Sequence, residues 1–252
     1  MKVIVTRPAA QAAEWVAQLA ARGIDAVALS LIEIHAPADT SEVQACWHTL
    51  AGRALVVFVS PNAAKQFFAL KPPEAAWPDA VVAGSTGPGT SHVLRAHGVP
   101  PACLVEPAAD APQFDSEVLW QQLRTRDWRG AQVTIVRGDG GRDWLARTLT
   151  EHGAQVSFVQ AYRRAAPAAD APLRAQLADA IARPPQHLWF FSSSEAIDHL
   201  VALVPEAHWN TSNALATHPR IAARARDAGF AHVAECRPTL DAVVACIQSI
   251  DP

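Results

Sequence analysis

Eighteen of the 21 basic residues are arginines, against three lysines, Lys2, Lys65 and Lys71. A guanidinium makes a rigid two-pronged bond to a carboxylate or phosphate, so the bias suits an oxyanion-rich ligand. A genome favouring arginine and alanine would produce the same bias, and placement is what matters. Arg7 and Arg137 each follow on an apolar run, at the point where a parallel strand would end and where open α/β sheets bind ligands. Arg142 lies in Val136-Arg137-Gly138-Asp139-Gly140-Gly141-Arg142-Asp143-Trp144, a glycine-rich strand-to-helix turn suited to anions. Gly84-Ser85-Thr86-Gly87-Pro88-Gly89-Thr90-Ser91 also enters a helix, with Thr90 or Ser91 as its cap or its amides as a carboxylate cradle. Two further turns, Ser60-Pro61-Asn62-Ala63 and Ser192-Ser193-Ser194-Glu195-Ala196, close hydrophobic strands and open helices. As N-caps they need no function; facing a ligand, they would present hydroxyls and amides at the positive ends of two helix dipoles. Tyr162 is the only tyrosine, and it precedes Arg163-Arg164 at the end of an apolar run. A buried phenol needs a hydrogen-bond partner, and at a junction between lobes it can reach a cleft.

Familiar catalytic constellations are absent from the chain. There is no HExxH, no GxSxG elbow and no Lys-Ser/Thr ending to the glycine-rich turns. Cys46, Cys103, Cys236 and Cys246 are widely spaced, without a CxxC pair or histidines at zinc-ligand spacing, which argues against a metal or a disulfide framework. None of the ten histidines is singled out by its neighbours. A net charge of −3 disfavours a broad nucleic-acid-binding face. No stretch approaches the ~20 apolar residues of a membrane helix, and the start lacks the apolar core of a signal peptide. A soluble, cytoplasmic protein with no nucleic-acid or membrane partner is the expectation.

These residues must be held by strands feeding crossover helices. Short runs rich in Val, Ile and Phe alternate with stretches of helical period, which predicts an α/β chain with parallel sheets. Strands are expected at 3–5, 26–34, 54–59, 80–83, 103–105, 132–136, 155–161, 187–191, 214–216 and 232–234, with helices between them. Gly23, Gly98, Gly153 and Gly229 fall just past helical patterns, as helix C-termini require. A faint repeat is present: Arg7, Leu19 and Gly23 stand 130 residues before Arg137, Leu149 and Gly153. Ser60, Ala64 and Phe68 stand 132 before Ser192, Ala196 and Leu200, and Pro88 and Gly98 stand 131 before Pro219 and Gly229. Two related lobes would explain it, with a ligand cleft between them. Ala165-Ala166-Pro167-Ala168-Ala169-Asp170-Ala171-Pro172 and His35-Ala36-Pro37-Ala38-Asp39 have the composition of crossings between lobes.

Taken in order, Val5-Thr6-Arg7-Pro8, Phe58-Val59-Ser60-Pro61-Asn62-Ala63, Gly87-Pro88-Gly89-Thr90, Val136-Arg137-Gly138 with Gly141-Arg142, Tyr162-Arg163-Arg164 and the Ser192–Ala196 turn resemble the uroporphyrinogen-III synthase family. Thr217-His218-Pro219-Arg220-Ile221-Ala222 resembles its last block, with Ile221 where many members carry Thr. The resemblance implies two flavodoxin-like parallel-sheet lobes joined by a two-strand linker, the first formed by 1–35 plus 167–252 and the second by 38–162. It implies a cofactor-free, metal-free monomeric lyase of tetrapyrrole biosynthesis. The linear tetrapyrrole hydroxymethylbilane would lose water, invert its ring D and close to uroporphyrinogen III. Arg7, Ser60, Asn62, Thr90, Arg137, Arg142, Ser192, Ser194 and Thr217 would bind the substrate's acetates and propionates. Tyr162 would be the catalytic acid, directly or through water, with Arg163 or Arg164 stabilising the phenolate; the alternative is that it packs the lobe junction. Such chemistry is mostly positional, because holding the reacting carbons together is worth more than a strong base. The rivals are a non-enzymatic two-lobed anion-binding or sensor module and a phosphate-handling α/β enzyme.

Overall fold

The computed structural model describes residues 1–250, which divide into two compact units: Met1–Glu33 with the chain from Ala165 onward, and Ile34–Arg164. The first unit opens with β1 (Lys2–Val5), α1 (Ala9–Ala20) and β2 (Ala26–Ala28), and β3 (Glu33–His35) leads out of it. The second runs through α2 (Ser41–His48), β4 (Leu55–Phe58), α3 (Pro61–Ala69), β5 (Val82–Ser85), α4 (Pro88–Ala96) and β6 (Leu104–Val105). It continues through α5 (Ser116–Leu123), β7 (Gln132–Arg137), α6 (Trp144–Glu151), β8 (Gln155–Gln160) and β9 (Arg163–Ala165). The chain then completes the first unit with α7 (Ala171–Ala182), β10 (His187–Phe191), α8 (Ser194–Leu203), β11 (Asn213–Ala216), α9 (Pro219–Asp227), β12 (His232–Glu235) and α10 (Leu240–Ile250).

Each unit holds a five-stranded parallel sheet, in the orders β12-β11-β10-β1-β2 and β6-β5-β4-β7-β8. Counted along the chain within its unit, the first is the flavodoxin-like order 2-1-3-4-5 and the second is 3-2-1-4-5. The second becomes the first if its strand count starts at β7, so the units are circular permutants of one topology. That equivalence matches β1 with β7, β10 with β4 and β11 with β5, which are the elements bearing Arg7 and Arg137, Ser192 and Ser60, and Pro219 and Pro88. Strands β3 and β9 pair as a separate two-stranded ribbon where the chain passes between units.

Both sheets are covered on both faces, as parallel sheets must be, and alternate residues of a strand serve opposite cores. In the second unit Val56 and Phe58 meet Trp47, Phe67, Phe68 and Trp77, while Leu55 and Val57 join Leu119, Leu123, Leu145 and Leu149. In the first, Leu188 and Phe190 pack with Val3, Val5, Leu19 and Ile247, while Trp189 and Phe191 turn to Phe230. Trp47 Nε1 donates to Phe67 O at 3.0 Å and Trp77 Nε1 to Val81 O at 2.8 Å, but the buried Nε1 of Trp189 has no hydrogen-bond acceptor among the described residues. Trp47→Phe removes a hydrogen bond to Phe67 O, which keeps only the 3.3 Å bond from Leu70 N, and Trp189→Phe removes none, so urea unfolding is expected to rank Trp47→Phe the costlier by about 1 kcal/mol.

The run at 26–34, expected as one strand, is two. After β2, Leu29 and Leu31 donate their N–H groups to Val5 O and Thr6 O, where β1 itself ends, and the chain turns out of the sheet with Leu29, Leu31 and Ile32 buried. The Ala/Pro-rich segment also shortens as a crossing. Asp170 caps α7 by accepting from Leu173 N at 2.9 Å, which makes Ala171 and Pro172 the first turn of a helix. Gly23 and Gly153, paired in the repeat, end α1 and α6 with φ of +76° and +93°, and the next residues bond back to Leu19 O and Leu149 O.

Candidate functional site

In an open α/β sheet, helices leave to opposite faces at the point where strand order reverses, and a crevice opens beyond the strand ends. In the second unit that point lies between β4 and β7, whose register pairs Phe58 with Val136. The residues that follow are Val59-Ser60 on one strand and Arg137-Gly138 on the other. Ser60 is the N-cap of α3, and its Oγ accepts from Ala63 N at 3.1 Å. The same oxygen lies 3.1 Å from the Tyr162 hydroxyl. Tyr162, just past β8, is 3% exposed, and its ring belongs to the core built on Phe58, Val136 and Val159. The ring thus packs as architecture, while the hydroxyl reaches the N-terminus of α3. Arg164 lies with its Cζ 5.9 Å from the ring centroid, whereas Arg163 is exposed and donates from Nε to Ala36 O at 3.5 Å.

Gly138 explains the glycine after Arg137. A Cβ there would sit 2.9 Å from two carbons of the Tyr162 ring, a distance that no real Cβ tolerates. Gly138→Ala is therefore expected to displace the ring and lower activity about tenfold or more. Because Tyr162 is the sole tyrosine, ¹³C-tyrosine NMR would report the displacement as one moved signal. An unmoved signal would mean that the backbone yields instead.

The other residues singled out in this unit are placed as follows. Asn62 is half-buried in the first turn of α3. Thr90, read as a binding hydroxyl, is 2% exposed; the exposed positions of its turn are Pro88 and Gly89, and the Ser91 hydroxyl donates to Ser85 Oγ at 2.8 Å. Arg137 donates to Asp143 Oδ1 at 2.6 Å with its guanidinium 3.8 Å over the Phe158 ring. Arg142 makes a two-pronged pair with Glu117, whose hydrogen bonds push the guanidinium further above its ordinary range. Arg164 pairs with Asp139 at 3.8 Å. Each of these guanidiniums is held by a carboxylate of the chain itself, a feature the sequence reading missed although Asp139 and Asp143 share one loop with Arg137 and Arg142.

In the first unit the switch point lies between β1 and β10, with Val5 paired to Phe190. Beyond it stand Arg7 and Ser192, and Ser194 is the first residue of α8, whose N-cap Ser193 makes no side-chain capping bond. Thr217 follows the neighbouring β11, its N–H donating to Phe191 O at 3.2 Å, and His218 caps α9 by accepting from Arg220 N at 3.1 Å. Arg7, Ser192, Ser194 and Thr217 thus share one carboxyl edge. Ile221 is 8% exposed, so this position of α9 faces the interior. Burial pushes the Cys236 thiol up to about 12. Among the described residues no group of His, Cys, Asp and Glu could hold a metal ion, and no helix is long and apolar enough to cross a membrane.

The model of the family described as uroporphyrinogen-III synthase HemD matches residues 13–245. The chain belongs to the uroporphyrinogen-III synthase HemD family. It is 28% identical over 239 residues to the uroporphyrinogen-III synthase of Escherichia coli, covering 91% of this chain and 92% of that one. To the Salmonella typhimurium synthase it is 32% identical over 167 residues, 66% of each. A mutant uroporphyrinogen III synthase from the extremely thermophilic bacterium Thermus thermophilus superposes with a TM-score of 0.61 at 17% identity, covering 100% of this chain and 97% of that one. The Helicobacter pylori uroporphyrinogen-III synthetase gives 0.60 at 13% identity, covering 99% of each. The fold of this uroporphyrinogen-III synthase family member is thus two parallel-sheet lobes joined by connecting strands, as the resemblance implied, and the chain is an enzyme of that family.

Proposed function

We propose that the protein converts hydroxymethylbilane into uroporphyrinogen III. The observation that carries the reading, within a chain matched to the family over residues 13–245, is the sole phenol held 3.1 Å from Ser60 at the N-terminus of α3. The bilane's terminal hydroxymethyl group leaves as water when its oxygen takes a proton, and a cationic azafulvene remains. Tyr162 donates that proton, directly or through a positioned water, and Ser60 and the α3 N-terminus steady the phenolate. The substituted carbon of ring D then attacks the azafulvene carbon to give a spiro intermediate. The bond from that spiro carbon to the bridge from ring C then breaks, leaving an azafulvene on ring C; attack on it by the free α-carbon of ring D, on the other side of the ring nitrogen, closes the macrocycle with ring D inverted, and loss of a proton restores aromaticity. No electrons enter or leave, so the overall change is loss of one water. Arg7, Ser192, Ser194 and Thr217, with Ser60, Asn62 and the exposed amides of their helices, bind the acetates and propionates. Arg137 and Arg142 join them only by exchanging Asp143 and Glu117 for substrate carboxylates.

The test is incubation with hydroxymethylbilane, oxidation, and separation of type I from type III uroporphyrin. Type III product at a rate proportional to protein is expected. Tight bilane binding with only the spontaneous type I product would favour a sensor.

A further inference from the structure

Among the described residues three helices open on an aspartate at the N-cap, and only two of these aspartates act as caps. Asp115 accepts from Val118 N at 3.0 Å and Asp170 from Leu173 N at 2.9 Å, each with an extended backbone at ψ −175° and 173°. Asp143, before α6, makes no capping bond; its ψ is 11°, and its Oδ1 accepts from Arg137 at 2.6 Å instead. Aspartate is among the best N-caps, and the α6 dipole favours its charge at that end. What holds it away is an ion pair whose aspartate side chain is 55% exposed, the kind that contributes little in water. Asp143 therefore stands between two partners of similar worth. The guanidinium has a second support: it lies 3.8 Å over the ring of Phe158, the one exposed large hydrophobic side chain among the described residues. Phe158 is paired with Ile135, two residues before Arg137 on β7, so ring and guanidinium share one sheet face. Taking up cap geometry would swing the chain before Asp143, and Gly140 and Gly141, the latter at φ +147°, supply the freedom for it.

We propose that Asp143 is a positioning residue with two seats. It holds Arg137 until a substrate carboxylate takes that guanidinium, and then turns to accept from Ala146 N and cap α6, while Phe158 keeps the guanidinium in place. The exchange costs little because the displaced carboxylate gains a hydrogen bond at the helix end. The inference rests on the bilane reading for the identity of the ligand, but the second seat belongs to the chain alone.

The second seat is tested without ligand. Amide hydrogen exchange at Ala146, the third residue of α6, is measured by NMR in wild type, Arg137→Met, Asp143→Ala and the double variant. Arg137→Met releases Asp143 and is expected to slow exchange about fivefold; adding Asp143→Ala should abolish that gain, while Asp143→Ala alone stays within about twofold of wild type. Asp143→Asn, which caps but pairs weakly with a guanidinium, should protect Ala146 with Arg137 present. A simple ion pair gives the reverse, since nothing done to Asp143 would matter once Arg137 is gone, and unchanged exchange in Arg137→Met and Asp143→Asn would overturn the second seat. The hand-over is read with the octacarboxylate uroporphyrin I, followed by its fluorescence. Asp143→Asn is expected to bind it about threefold more tightly than wild type, and Phe158→Leu about tenfold more weakly, with Phe158→Tyr restoring affinity. Asp143→Asn no tighter than wild type, absence of binding included, would overturn the exchange. If wild type makes type III product while Ala146 fails to respond, the second seat alone is wrong; if Ala146 responds and wild type makes none, the bilane reading fails alone.

Discussion

Tyr162→Phe is expected to lower kcat about 100-fold while leaving KM within about threefold. The substitution keeps the ring, which fills the core beside Phe58 and Val136, and removes only the hydroxyl that lies 3.1 Å from Ser60. Loss of that hydrogen bond should cost about 1 kcal/mol of stability, too little to unfold the unit. A general acid is worth roughly 10²–10⁴ in rate, and the low end applies because the hydroxyl leaves readily once the azafulvene can form. Ser60→Ala should give a smaller fall in kcat together with a cap loss of about 1 kcal/mol. A folded Phe variant with unchanged kcat would assign Tyr162 to packing alone and leave water as the acid.

Arg7→Met is expected to make the protein more stable and a poorer enzyme. Burial lowers the Arg7 pKa to about 10, well below the ordinary arginine value, so the charged guanidinium is less favourable in the folded state than in the unfolded chain. Replacing desolvated charged groups by hydrophobic side chains of similar volume commonly gains about 1–4 kcal/mol, and the attraction of Glu14 and the cation–π contact with Trp15 return part of that, leaving about 1–2 kcal/mol. The sign follows from proton counts. Above pH 10 the folded state gives up the proton that the unfolded state still holds, so wild-type stability gains with pH through this group. The advantage of Arg7→Met, read by urea unfolding, should be full below pH 10 and shrink as pH rises above 10. A destabilised Arg7→Met at pH 7 would show that Arg7 is a structural cation.

The fold was legible because both signals that encode it are local. Apolar runs such as Leu55–Phe58 and His187–Phe191 are buried along their whole length, as parallel strands covered on both faces require. The repeat at offsets 130 to 132 read correctly which strand ends are equivalent, because the same turn chemistry recurs at each. Circular permutation of the units was not legible, since it is a property of strand order rather than of any segment. The placement of the candidate arginines at strand ends was legible, and their ion pairs were not. Arginines at strand ends can be seen in a sequence, but whether a carboxylate of the chain already neutralises one depends on loop geometry. Arg137 pairs with Asp143 and Arg142 with Glu117, whereas the hydrogen bond of Arg7 is a long one to Gln11. The burial of Thr90 was not legible, because a hydroxyl in the first turn of a helix faces outward or inward according to how that helix packs. Gly138 was visible as a glycine, but its reason, the ring of Tyr162, lies 24 residues away in the chain.

The isomer composition of the product, measured in single turnovers with wild type and Tyr162→Phe side by side, tests the proposed reaction most directly. Wild type should convert hydroxymethylbilane to the type III isomer well ahead of spontaneous closure. Tyr162→Phe should form product about 100-fold more slowly, with the enzyme-formed fraction still type III, because the hydroxyl assists departure of water while the rest of the site folds the bilane. Type I product alone from wild type, at the rate seen without protein, would contradict the assignment of this reaction to the chain.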